Sequence, residues 1–497
     1  MFRPLPTHRA QLAATLVAFF AGALLGFTFL LTDAPWPVPT VAAALVTAAF
    51  VASRTERRRL RLVGLFVVFA AYALWTYELL AFGEALYWTI RWPVWALVVA
   101  FGFAAVLTHG PSWKRVEVPF VLPMGVVIAA CLWGWRTEET RIRCEDWRAV
   151  AAQSEVKISI PTIDTPCIGD EAIPIARFPR HVSESPDGAS YLFTTQMRNP
   201  TVSNAMPAPG RFSGSICTSP RNGSSPPTCT GVGTSQGMAE SEPLDRFFVA
   251  NWGPVREGGR RGGRIYAVAR SHPLRVLAER ELDILSGELF HDPIGDIVGV
   301  FNDDADFVYP FRASTLEPLE PMFAPIIPGD THFDPVRREG VCCFAVGPIK
   351  TIDGHAFAAV AFATDPFRLR PLAPSNEAPW MWFGFSWGCD WDPANRRAYA
   401  AIASLGILHE IDYDSGSVLR TFYTGMGVRS VAYDRKRHRL YLGHYLTGKV
   451  GAVDLSTGKT IAEWFAGRFV RTVVLSRDAR RLIATSNAGI VEIDLPD

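Results

Sequence analysis

WDPANRRAYAAI (residues 391–402) is followed by YDRKRHRLYLGH (433–444) and then by SRDARRLIATS (476–486). His438 falls under Arg396 and Arg480 under His438, an offset of 42 each time. In the same register Asp434 lies under Asp392, Asp454 under Asp412 and Gly458 under Gly416, and VRSVAYD (428–434) overlies VRTVVLS (470–476). Within each unit apolar residues alternate, a charged turn follows, and a further strand leads to D-x-x-x-G, as in DYDSG (412–416) and DLSTG (454–458). Period-2 strands with a turn every ten residues or so, repeated at about 42 residues, mark the blades of a β-propeller. One blade cannot cover its own apolar face, so blades must stack in a ring.

Upstream the copies weaken. RHVSESPDGASYLFTT (Arg180–Thr195) follows RTVVLSRDARRLIATS nearly position for position, while DIVGVFNDDADFVYPF and VCCFAVGPIKTIDGHAFAAVAF read as degenerate members. Spacing between unit starts predicts seven blades, with six as the alternative. The last unit runs out of chain before its fourth strand, and VKISIPTI (Val156–Ile163) is the expected donor that closes the ring. With these motifs in view, the region from about Ile160 to Asp497 resembles bacterial YVTN-type and WD-repeat-like propellers, whose blades carry S-P-D-G-x-x-x-Y followed by a D-x-x-T-G hairpin. The resemblance implies a fold and leaves the activity open, because propellers host many unrelated functions.

The first 135 residues are of another kind. Five apolar stretches, 11–31, 36–52, 62–80, 92–108 and 116–135, come near the roughly 20 residues that a helix needs to cross a bilayer. Arg54, Arg57, Arg58, Arg59 and Arg61 fill one loop, and Lys114 and Arg115 another, whereas Asp33, Glu78 and Glu84 occupy the alternate ones, with Arg91 as the one exception. Basic residues in short loops stay cytoplasmic, so this pattern predicts an N-terminus inside, and five crossings put the remainder outside. The expected chain is a five-helix membrane region (1–135), a linker (136–155) and an extracytoplasmic propeller (156–497) with a loop insertion at 199–242, in a bacterial cytoplasmic membrane.

A net charge of +1 gives no reason to expect a nucleic-acid partner. Seven of the eight cysteines fall in the predicted outer part, where thiols oxidise and stay oxidised. Cys217 and Cys229 bracket a Ser/Gly/Pro-rich stretch with little else to hold it, and form one expected disulfide. Cys144 with Cys167 form another, leaving Cys342, Cys343 and Cys389 without an assigned pairing. No C-x-x-C pair occurs, and the histidines, His332 among them, share no ligand spacing, so the sequence implies neither a metal nor a cofactor.

Site residues follow from register. Arg180, Arg429 and Arg471 occupy one blade position just ahead of the innermost strand, and Trp387 holds that place in the intervening unit. Innermost strands line the channel, so these four are the candidate ligand-binding residues, a cationic collar for a small anion or an acidic protein partner. The competing explanation pairs each arginine with an Asp of a neighbouring blade. PWMWFGFSWGCDW clusters Trp380, Trp382, Trp387 and Trp391 as an aromatic platform or as inter-blade core. AVDLSTGKTIAEW resembles the tryptophan-docking repeat of quinoprotein propellers, but Trp464 falls two residues beyond the required place and a plain turn explains it. The basic tip REGGRRGGR (Arg256–Arg264) is a solvated hairpin or a contact surface. The expected function is a membrane-anchored, non-enzymatic ligand- or protein-binding module without catalytic residues, such as an accessory subunit of a membrane complex, with a propeller enzyme of quinoprotein-like oxidoreductase or lactonase-like hydrolase type as the alternative.

Overall fold

Alternation of apolar and polar residues has produced four-stranded antiparallel sheets. The computed structural model describes residues 144–496 apart from several segments, the longest being 162–178, 196–214, 252–262, 345–356 and 374–386. The chain divides into two units, Met1–Ile142 and Arg143–Asp497, and all described residues belong to the second. The five expected membrane spans thus lie outside the described residues. Among the described residues no helix is long and apolar enough to cross a membrane.

Seven four-stranded sheets form a seven-bladed β-propeller. Blade 1 holds β2–β5 (Pro179–Gly231), blade 2 β6–β9 (Ser235–Leu282), blade 3 β10–β13 (Ser286–Phe323) and blade 4 β14–β17 (Pro328–Leu372). Blade 5 holds β18–β21 (Gly388–Tyr423), blade 6 β22–β25 (Val428–Phe465) and blade 7 β26–β28 (Thr472–Asp494). The fourth strand of blade 7 is β1 (Val156–Pro161), antiparallel to β28 with Val156 opposite Ile493. The expected donor strand therefore closes the ring. The stretch 199–242, expected as an inserted loop, is corrected: it carries β4 (Ser215–Pro220), β5 (Thr228–Gly231) and all of β6 (Ser235–Ser241). Its Ser/Gly/Pro composition masks strands whose pairing is fixed by a cystine, since Cys217 lies opposite Cys229 and is bonded to it.

Repeat positions map onto shared local devices. Asp392 accepts from the N–H groups of Ala394 (3.1 Å) and Asn395 (3.3 Å), and Asp434 from that of Arg437 (3.1 Å), capping the turn after the innermost strand. Each of these tight turns ends on a left-handed residue, Asp245, Asp296, Arg338, Arg396 or His438, with φ from 47° to 57°. In the outer hairpins the carbonyls of Asp412 and Asp454 accept from the N–H of Gly416 (2.8 Å) and Gly458 (2.7 Å). Tyr399 and Tyr441, one repeat apart, are fully buried between strands. Apolar faces then meet blade to blade: Phe290, Phe301, Phe333 and Phe362 pack at ring separations of 5.1 to 5.9 Å between blades 3 and 4. Each fully buried phenylalanine contributes on the order of 1.5–3 kcal/mol.

The segment expected as a linker is partly ordered. Residues 144–151 form a helix, α1, that docks on the link between blades 6 and 7. Asp146 accepts from the Arg468 N–H (3.0 Å) and faces the Arg468 guanidinium (3.4 Å), Gln153 exchanges two hydrogen bonds with the Phe465 backbone, and Val150 enters the core.

Candidate functional site at the channel mouth

Each blade begins at the channel, so its first strand lines the axis and the seven first strands run in one direction. The links from the outermost strand of one blade to the first strand of the next, and from second to third strands, then meet at one end of the ring. The described link 466–471, against which α1 docks, lies at this end. The turns at the opposite end are short, for example 242–245, 393–396 and 435–438. The tip Arg256–Arg264, apart from Gly263 and Arg264 on β8, and the Trp380–Trp382 segment lie outside the described residues.

β-Bulges aim side chains into this mouth. The pairing of first with second strand shifts between Pro179 and Val182, Ser286 and Leu289, Pro328 and Thr331, and Val428 and Ser430. The residues bracketed by those shifts include Arg180, Glu288, Asp330 and Arg429. A bulge leaves its extra residue out of the ladder and re-aims it, which is why such irregularities gather at sites. Two glycines let neighbouring strands press against the bulges. A Cβ at Gly237 would sit 2.8 Å from Glu288 Cα and 2.7 Å from the Gly287 carbonyl oxygen; one at Gly388 would sit 3.0 Å from the Arg429 carbonyl carbon and oxygen.

All four residues singled out by register reach this end. Arg180 is the second residue of β2 and Arg429 the second of β22, while Trp387 and Arg471 immediately precede β18 and β26. The Arg429 guanidinium lies 4.5 Å from the Trp387 ring centre and 5.3 Å from that of Tyr445. Trp387 and Tyr445 meet edge to face at 6.2 Å, and the Arg471 guanidinium lies 5.7 Å from the Tyr445 ring centre with Nη2 donating to its hydroxyl (3.5 Å). Burial, reinforced by Arg471 and Arg180, pushes the Arg429 guanidinium down to about 9. Among the described residues, no carboxylate lies within ion-pair distance of Arg429. Arg180 is ion-paired, with Glu288 (2.7 Å) two blades away and not with an Asp of a neighbouring blade.

The opposite arc of the channel is acidic and was not singled out from the sequence. Glu288, Asp330 and Asp390 come from blades 3, 4 and 5, with His332 between the aspartates, 3.4 Å from Asp330 and 3.3 Å from Asp390. Burial alone would lower the imidazole, but Asp390, Asp330 and Glu288 outweigh it and hold His332 up at about 10. Burial raises the Asp390 carboxyl, against His332 and the N–H groups of Tyr433 and Trp391, each 2.7 Å away. His332, Asp330 and Asp390 keep 31%, 25% and 18% of their side-chain surface open, so water reaches this depth. The legible signal was Gly-Glu (287–288) and Gly-Asp (329–330), each acid standing four residues ahead of a turn aspartate. No three His, Cys, Asp or Glu side chains among the described residues are grouped to hold a metal ion.

Other candidates resolve differently. Trp391 stacks on Tyr413 at 4.7 Å in the core between blades 4 and 5. Asp454 accepts from the Thr457 N–H (2.8 Å) and hydroxyl (3.0 Å), so the docking-like motif is a turn, and the Trp464 indole donates to Glu155 (2.7 Å). A second cystine, Cys343–Cys389, staples blades 4 and 5 near the mouth, and Cys342 is a buried thiol that donates to the Cys343 carbonyl (3.4 Å). Cys144 is also disulfide-bonded. Its expected partner, Cys167, lies outside the described residues.

No protein-family model matches this chain, and no curated protein matches it. Among solved structures it is similar to hydrazine synthase from Kuenenia stuttgartiensis at 13% identity and a TM-score of 0.47, over 66% of this chain and 98% of that one. A likeness of that strength carries no argument about activity or ligand. The fold itself defines the class: a seven-bladed β-propeller with a charged, aromatic channel mouth.

Proposed function

We propose that this chain is a membrane-anchored, extracytoplasmic β-propeller that works as a non-enzymatic binding module, its mouth taking a small anion or an acidic side chain of a protein partner. Arg429 is the observation that carries the reading. Its charge sits between two aromatic faces, next to two further arginines, with no carboxylate among the described residues to neutralise it. Like charges gathered in a partly desolvated place cost free energy that a bound anion recovers, and a guanidinium presents paired N–H groups to a carboxylate. The anchor rests on the five apolar stretches and their basic loops, and the outer compartment on those loops and on two cystines. A module of this kind suits an accessory subunit of a membrane complex.

Calorimetric titration of the full chain in mild detergent with glutarate, at constant ionic strength, tests the binding. We expect saturable binding that Arg429→Gln weakens by roughly 10- to 100-fold, the loss of a charge-assisted hydrogen bond, with the glutarate recovered unaltered. Equal binding by the variant, or none by the wild type, would sink the reading.

A further inference from the structure

The residues that support Arg429 from blade 5 hang from the end of a strand. Trp387, which faces the Arg429 guanidinium, immediately precedes β18, and Gly388, which abuts the Arg429 backbone, is its first residue. In the order β18-β19-β20-β21 that strand is hydrogen-bonded on one side only, and its other edge is turned to the channel. Blades 1, 3, 4 and 6 add a pair at the mouth beyond their bulges: Pro179 with Thr195, Ser286 with Asn302, Pro328 with Phe344 and Val428 with His444. Among the described residues of blade 5 the ladder stops at Gly388 opposite Ala401, and it runs there without a shift. Trp387 thus stands ahead of the last ladder pair.

A covalent bond lies where the extra pair is missing. Cys389, next to Gly388 and two residues after Trp387, is bonded to Cys343, with Cα atoms 6.0 Å apart across 46 residues of chain. Cys343 lies on β15, an inner strand of blade 4 with β14 on one side and β16 on the other, where it pairs with Ala359. Both cysteines are fully buried in the core shared by blades 4 and 5. The bridge therefore fastens the one-sided end of β18 to a strand held on both sides.

We propose that the Cys343–Cys389 cystine is a positioning element of the anion site, so that affinity for the anion follows the oxidation state of this pair. With the bond closed, Trp387 and Gly388 are set against Arg429 before an anion arrives, and binding does not have to order them. Opening the bond takes a dithiol reductant, which gives up two electrons and two protons and leaves as its own disulfide, while Cys343 and Cys389 become two thiols. The end of β18 then has one ladder edge and side-chain packing alone to hold it. The inference rests on the anion reading above and adds its regulation.

Glutarate titration of the full chain in detergent compares the wild type with Cys343→Ala/Cys389→Ala and with Cys217→Ala/Cys229→Ala, a control that removes the cystine of blade 1. Both double variants should lose stability to urea. Only the first should bind glutarate more weakly, by roughly two- to tenfold, the cost of ordering one side chain on binding. In that background Arg429→Gln should weaken binding by a smaller factor than in the wild type, a coupling that a bond serving stability alone would not produce. Where the first variant fails to fold, wild-type chain treated with dithiothreitol decides the matter: affinity should fall in step with the fraction of Cys343–Cys389 opened, read by alkylation and peptide mass mapping. Wild-type affinity in the variant or in the opened chain, or an equal loss in the blade 1 control, overturns the role of this cystine and leaves the anion reading standing. Absence of glutarate binding by the wild type overturns both.

Discussion

Replacing Glu492 by glutamine removes one negative charge from the place where the ring closes. Glu492 lies on β28 with 4% of its side chain exposed. It accepts from Arg221 Nη2 (2.7 Å) and Nε (3.0 Å), from Arg481 Nη1 (2.8 Å), and from the Ser159 hydroxyl. Arg221 follows β4 in blade 1, Arg481 lies on β27 and Ser159 on β1, so one carboxylate ties both ends of the propeller to its first blade. Breaking a buried ion pair by removing one partner costs about 3–5 kcal/mol. Two features reduce that figure: Arg221 is 33% exposed and can recover water, and Arg481 keeps Glu184 at 3.3 Å. We therefore expect Glu492→Gln to lose about 2–3 kcal/mol, roughly a 30- to 150-fold shift toward the unfolded chain. Urea titration followed by tryptophan fluorescence reads the loss, and limited proteolysis around residue 156 reads release of β1. Adding Arg221→Gln should cost less than the sum of the single losses, because the two side chains act on each other. A loss under about 0.5 kcal/mol, the level of an ordinary surface change, or strict additivity, would refute the assignment of ring closure to this network.

Three further outcomes are expected. Burial raises Asp146 to about 6, so the folded chain holds this proton more tightly than the unfolded one; its contribution to stability is present at low pH and is lost as pH rises from about 3.8 through 6. The loss amounts to about 3 kcal/mol, and stability against pH should be flatter over that window in Asp146→Asn; identical slopes would contradict the assignment. Gly388→Ala forces a Cβ to within 3.0 Å of the Arg429 backbone, where neither strand has a flexible atom to yield. A cost of about 1–3 kcal/mol with weakened glutarate binding is expected, and unchanged binding would separate Arg429 from that packing. Protease added to intact, right-side-out spheroplasts should digest the propeller, and its resistance until lysis would remove the proposed compartment.

Local devices were legible in the chain. Asp392, Asp434, Asp412 and Asp454 recur because each turn needs the same cap, and Tyr399 and Tyr441 because each blade offers the same slot to its neighbour. Val156–Ile163 could be named as the closing strand because the last unit ran short of chain. In blade 1 composition misled, since the strands around Cys217 and Cys229 draw their order from a cystine more than from alternation. Register also brought Arg180, Trp387, Arg429 and Arg471 to one end of one channel, because equivalent positions in a ring must share an end.

What the sequence by itself determined is periodicity: strand, turn and the identity of the residue at each repeat position, all set by neighbours a few residues away. What only the tertiary structure decided is which charges face one another. Arg180 and Glu288 are 108 residues apart, and Asp390 meets His332 only because the ring sets blade 5 beside blade 4. Bulges that shift a pairing by one residue, and glycines that admit a neighbouring strand, fixed where those side chains point. Electrostatics acts through space, and a propeller channel gathers into one small volume seven strands that the chain keeps far apart.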